Sequence, residues 1–87
     1  MAKGKAMTDE QLLERIVSDP AVMTGKPIIK GTRLSVEFIL GLLARGSTAE
    51  EILKEYDHLT RDDIRACFAY ASDLVREEKV HSLPAER

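Results

Sequence analysis

The 87-residue chain offers few groups that could do covalent or metal chemistry. Its two histidines, His58 and His81, lie far apart, and no Cys/His/Asp cluster has the spacing of a metal site. Cys67, the single cysteine, falls on the apolar face of a helical pattern, where a thiol is an inert core group rather than a nucleophile. Gly25-Lys26 runs into Pro27, so the Gly-Lys-Ser/Thr signature of a phosphate-cradling loop is absent. Glu50, Glu51, Glu55 and Asp57 read as the solvated face of a helix. The expectation is therefore a non-enzyme with no catalytic residues, no metal and no cofactor.

What remains is charge. Lys26, Lys30 and Arg33 sit in the run Gly25 to Arg33, with no acid between Asp19 and Glu37. Such a loop can contact phosphates, with Lys3 and Lys5 as helpers; equally, it can be solvated or anchor acids from elsewhere in the chain. Arg61 and Arg65 recur at helical spacing and could also reach a nucleic acid. Between them stand Asp62 and Asp63, which the DNA field would repel. The same two acids have a local explanation in the first turn of a helix, where the backbone dipole favours them.

The elements that must position these groups are read from periodicity and caps. Thr8 can cap a short helical turn over Asp9, Glu10 and Gln11. Arg15-Ile16-Val17-Ser18 has the β-branched character of a strand, stopped by Asp19-Pro20. Ile28-Ile29 reads as a second strand, and Lys30-Gly31 suits a tight turn with positive φ at the glycine. Ser35 caps a helix running to about Arg45, with Val36, Ile39, Leu40 and Leu43 as its stripe and Phe38 and Leu42 widening it. Gly46 ends that helix. Ser47 with Glu50 has the spacing of a capping box for the next helix, whose stripe is Ala49, Ile52, Leu53 and Tyr56. After the turn Asp57-His58-Leu59, Thr60 starts a third helix, with a buried stripe of Ile64, Cys67, Phe68, Ala71, Leu74 and Val75.

Composition bounds the rest. An apolar fraction of 44% with 32% charged residues describes a single globular domain with an aliphatic core, since aromatics are scarce. One cysteine, no apolar run of membrane-spanning length and a start without a secretion signal point to a cytoplasmic protein without a membrane partner. Residues 1–45 carry seven basic and five acidic side chains; residues 46–87 carry six and ten. The halves therefore favour different partners. A chain this small gains stability by pairing, and its short extended segments have edges that could join two copies, so a homodimer is expected.

A short helix, a polar turn and a longer helix form the outline of a DNA-binding helix-turn-helix, which any compact three-helix bundle shares. Residues 14–79 also resemble the DUF433 family of small prokaryotic proteins. The resemblance rests on Arg15 to Pro20, on Gly25-Lys26-Pro27-Ile28-Ile29-Lys30-Gly31-Thr32-Arg33-Leu34-Ser35-Val36 and on Tyr56-Asp57-His58-Leu59-Thr60. The sequence departs from the family at Thr24, where a second glycine before Gly25 is common. The resemblance implies a mainly α fold: a three-helix, homeodomain-like helix-turn-helix bundle preceded by a short β-hairpin. Residues 1–13 would then be an N-terminal tail with a short helix, 14–79 the domain and 80–87 a C-terminal tail.

The resemblance further implies an antitoxin of a type II toxin–antitoxin pair, bound to a PIN-like toxin and to its own promoter DNA. The alternative is a protein-interaction or dimerisation module with a structural helix-turn-helix and no DNA binding. Candidate DNA contacts are Lys26, Lys30 and Arg33 in the loop and Thr60, Arg61 and Arg65 at the third helix. Candidate partner contacts are Asp73, Arg76, Glu77 and Glu78 at the acidic end, which could cover the positive surface that a nuclease presents to RNA.

Overall fold

Caps and turns divide the chain into short elements, and the computed structural model describes them over residues 7–21 and 23–77. Helix α1 (Asp9–Leu13) opens on Thr8, whose hydroxyl accepts from the Gln11 amide while the Gln11 side chain accepts from the Thr8 amide. Strands β1 (Ile16–Ser18) and β2 (Pro27–Ile29) pair antiparallel, Ile16 opposite Ile29 and Ser18 opposite Pro27. Between them Asp19 Oδ1 accepts from the Ala21 amide at 2.9 Å, and the Ser18 hydroxyl donates to the Gly25 carbonyl. Thr24 takes the left-handed conformation, φ 53° and ψ 36°. That backbone is costly for a β-branched residue and free for a glycine, so the departure from the family pattern sits where a glycine would relieve strain.

The turn after β2 has the expected form. Gly31 takes φ 82°, and the Thr32 hydroxyl donates to the Ile29 carbonyl (2.8 Å) while accepting from the Leu34 amide (2.9 Å). Ser35 then bridges back to Ile28 and caps α2 (Val36–Ala44), accepting from the Phe38 amide at 2.9 Å. Gly46, at φ 109°, closes α2: its amide donates to Leu43 and the Ser47 amide to Leu42, a Schellman exit. This exit moves the next cap. Ser47 is occupied in ending α2, so Thr48, not Ser47, caps α3 (Ala49–Glu55), and Glu51, not Glu50, completes the box. A five-residue connection leads to α4 (Arg61–Glu77), whose start is a reciprocal pair between Thr60 and Asp63.

The core is aliphatic: Ile29, Val36, Ile39, Ile52, Leu59, Ile64 and Cys67 form one buried cluster. Leu12 is buried as well, and α1 packs on α4, so the N-terminal helix is part of the folded unit. The described architecture is thus mainly helical, a helix-turn-helix of α3 and α4 with α2 beside it and a two-stranded hairpin ahead. No described helix is long and apolar enough to cross a membrane.

The apolar stripe of α4 departs from expectation. Ile64 and Cys67 are buried, joined by Ala66, but Phe68 is 52% exposed, Leu74 47% and Val75 59%. For Leu74 and Val75 the reason is length: at about 1.5 Å per residue, α4 outruns both α2 and α3. Phe68, beside the fully buried Cys67, is exposed instead by its direction, about 100° around the helix from Cys67. The tails at 1–6 and 78–87, with Lys3, Lys5 and His81, lie outside the described residues.

Candidate interaction surfaces

The candidate cations divide into two groups that the fold treats differently. At the start of α4, Arg61 pairs with Glu50 at 3.1 Å and Arg65 with Asp62 at 2.8 Å. Thr60 is spent on the helix cap. The two acids of that turn are occupied as well. Arg15, arriving from the end of α1, reaches Asp63 at 3.1 Å and Asp62 at 3.9 Å. Asp63 is buried, and its carboxylate serves both the Thr60 amide and Arg15. The Arg15 Nε is itself buried without a hydrogen-bond partner, so this clamp is held at some cost. Sequence periodicity missed it, because 48 residues separate Arg15 from Asp63 and no local pattern couples them.

The loop behaves otherwise. Lys26 pairs with Glu37 at 3.1 Å, both side chains largely exposed. Lys30 and Arg33 are exposed and make no ion pair among the described residues. The Thr32 and Gly31 geometry holds the two residues at the tip of a braced turn. No hydrogen bond or ion pair links this loop to Arg61 or Arg65 among the described residues.

Helix α4 presents two more surfaces. Phe68 and Val75, seven residues apart and so on one face, stand exposed, with a hollow of about 300 Å³ between Phe68, Leu12, Ala69 and Ser72. On the opposite flank, Tyr70, Ala71 and Leu74 face Pro27, Val36 and Leu40 across a groove of about 490 Å³. Lys26 and Glu37 form its rim. Farther along, Asp73 pairs with Arg76 at 3.0 Å, and Arg76 also reaches the Ser72 hydroxyl at 3.4 Å. Glu77 ends α4 with its side chain outside the description, and Glu78 lies outside the described residues.

Burial, with the Asp63 carboxylate adding to it, pushes the Cys67 thiol up to about 12, so no thiolate forms near neutrality. Among the described residues no group of His, Cys, Asp and Glu could hold a metal ion. Phe38 and Tyr56 stack edge to face, centroids 5.9 Å apart, which ties α2 to the end of α3.

The sequence profile of DUF433, described as a protein of unknown function, matches residues 16–71. An uncharacterized protein, y4eO of Sinorhizobium fredii, is 31% identical over 58 residues. That alignment takes in 67% of this chain and 26% of the relative, so the chain spans about a quarter of that protein's length. No solved structure gives a significant match.

Proposed function

The chain belongs to the DUF433 family, and from that premise we propose that it is the antitoxin of a type II toxin–antitoxin pair, a cytoplasmic non-enzyme that binds a PIN-like toxin and its own promoter DNA. The observation that carries the proposal is the outer face of α4, where Phe68 and Val75 stand exposed beyond a well-sealed core. Exposed aromatic and aliphatic groups rimmed by charge are the usual anchors of a protein interface. Asp73 of α4, with Glu77 and Glu78 following it in the sequence, adds acidic charge that complements the positive surface a nuclease must offer to RNA.

DNA contact belongs to the β2–α2 turn. Lys30 and Arg33 are available there, and Lys26 leaves an exposed ion pair that costs only about 0–1 kcal/mol to exchange for a phosphate. The start of α4 is a poor reader of bases, since Arg61 and Arg65 are engaged by acids and Phe68 follows them on the same face. A second reading, a protein-interaction module without DNA binding, draws its support from those same engaged arginines.

Co-expression with the product of the neighbouring gene tests the proposal. The chain should relieve growth arrest caused by that product, and Phe68→Asp should abolish the relief. A chain that neither binds nor neutralises the neighbour refutes the toxin reading. For DNA, Lys30→Ala with Arg33→Ala should flatten the salt dependence of binding to upstream DNA by a slope of about 2. An unchanged slope favours the second reading.

A further inference from the structure

Helix α2 turns Val36 and Ile39 into the core beside Ile64 and Cys67 of α4. Its other side faces water, and there Glu37, Gly41 and Arg45 recur at four-residue intervals, one above another along the helix. Arg45, the cap residue of α2, does not keep its charge at the helix end. Its guanidinium folds back one turn and lies over Gly41: a Cβ on that glycine would stand 3.2 Å from one terminal nitrogen and 3.4 Å from the other. Only a residue without a side chain leaves this seat open. A cation that merely balanced the backbone dipole would be held at the last carbonyls instead. Arg45 makes no ion pair and no side-chain hydrogen bond among the described residues.

The seat adjoins the basic turn. Lys26 pairs with Glu37, one turn of α2 from Gly41, so Lys26 and the Arg45 guanidinium flank the same carboxylate on the same face. Glu37 answers one of the two, which leaves one positive charge uncompensated. Lys30 and Arg33, exposed and without an ion pair among the described residues, extend the face with the same sign from the turn that feeds α2. A basic nuclease would be repelled here, whereas a polyanion gains from each cation. Gly41 lies six residues beyond the Ser35 cap, about 9 Å along the helix, and a DNA strand carries one phosphate per roughly 3.4 Å of its axis. Arg45 is thus spaced for a phosphate other than those the turn meets.

We infer that Arg45, seated on Gly41, is a further phosphate contact, and that the outer face of α2 lies along the DNA backbone with α4 behind it. This contact rests on the DNA reading of the basic turn, to which it adds a residue and an orientation.

Binding of the full chain to a duplex of its upstream DNA, titrated over a series of salt concentrations, tests it. Arg45→Ala should lower the slope of log affinity against log salt by about 1, with an unchanged urea midpoint. Arg45→Lys, which keeps the charge, should restore most of that slope. Gly41→Ala retains every charge and favours the helix, but its methyl displaces the guanidinium. It should bind several-fold more weakly at fixed salt while its urea midpoint holds or rises. A purely structural role for Gly41 does not pair weaker binding with an undiminished fold. Arg76→Ala removes the same charge from α4 and should leave the slope unchanged.

A wild type without salt-dependent binding removes the DNA reading and this contact with it. If the wild type binds, and Lys30→Ala with Arg33→Ala flattens the slope but Arg45→Ala does not, the Arg45 contact alone falls. It also falls if Arg76→Ala flattens the slope as much, or if Gly41→Ala binds like the wild type. Weaker binding of Arg45→Ala to the neighbouring gene product, with the DNA slope unchanged, would assign this face to a protein and overturn the inference.

Discussion

The two halves of α4 come from one continuous helix with similar apolar spacing, yet they meet opposite fates. In the first half, Ile64 and Cys67 are sealed into the core with residues of α2 and α3, Ala66 is buried as well, and Asp62 and Asp63 are clamped by Arg15. Farther along, Leu74 and Val75 stand exposed, as does Phe68 beside Cys67 at mid-helix, and Asp73 and Arg76 pair along the helix itself. The first half holds the fold together, while apolar groups farther along stay open to water. A helical stripe records which side is apolar; the reach of the neighbouring elements decides how much of that side is consumed.

Several measurements could break this contrast. The largest effect concerns Cys67, fully buried with its thiol pushed up to about 12. Its reaction with a maleimide should be slower than in the denatured chain by roughly a thousandfold or more, tracking the unfolded population. Fast labelling under native conditions would mean that the first half is not sealed. Next, Ile64→Ala should cost about 3 kcal/mol in urea unfolding, by transfer loss and cavity formation. Phe68→Ala should cost less than about 1 kcal/mol, because half of its surface is already in water. Equal costs would erase the distinction.

Arg15→Ala should cost about 2 kcal/mol, since it strips the buried Asp63 carboxylate of its counter-charge. That figure already allows for Arg15 being about one-third exposed. The smallest effect is electrostatic. A hydrogen bond from its own backbone amide, and then Arg61, hold the exposed Glu50 carboxyl below its ordinary value of 4.5. A lowered folded value gives stability that is present above 4.5 and is lost as pH falls through the lower one. The melting-temperature gap between the wild type and Glu50→Gln should therefore narrow from neutral to acid pH.

Much of the fold was legible residue by residue. Thr8, Ser35 and Thr60 cap the helices assigned to them, Gly31 and Gly46 take the positive φ their positions require, and the two strands pair as a hairpin. These are short-range effects, decided by groups within about four residues of one another. The shift of the third cap from Ser47 to Thr48 shows where even local reading needs context. Ser47 is a good cap by type, but its amide is already held by the exit of α2.

The candidate site was legible only as a list of charges. Lys26, Lys30, Arg33, Arg61 and Arg65 are alike on paper, and the sequence by itself determined only their number and spacing. It also determined the helices, the caps at Thr8, Ser35 and Thr60, and the turn that presents Lys30 and Arg33. The Arg65–Asp62 pair is local, three residues apart in α4; tertiary structure alone decided that Glu50 of α3 reaches Arg61 while nothing described reaches Lys30 or Arg33. It alone decided that half of the α4 stripe faces water. Pairing and burial depend on contacts between elements distant along the chain, and the spacing of residues within one helix carries no information about the length of the next.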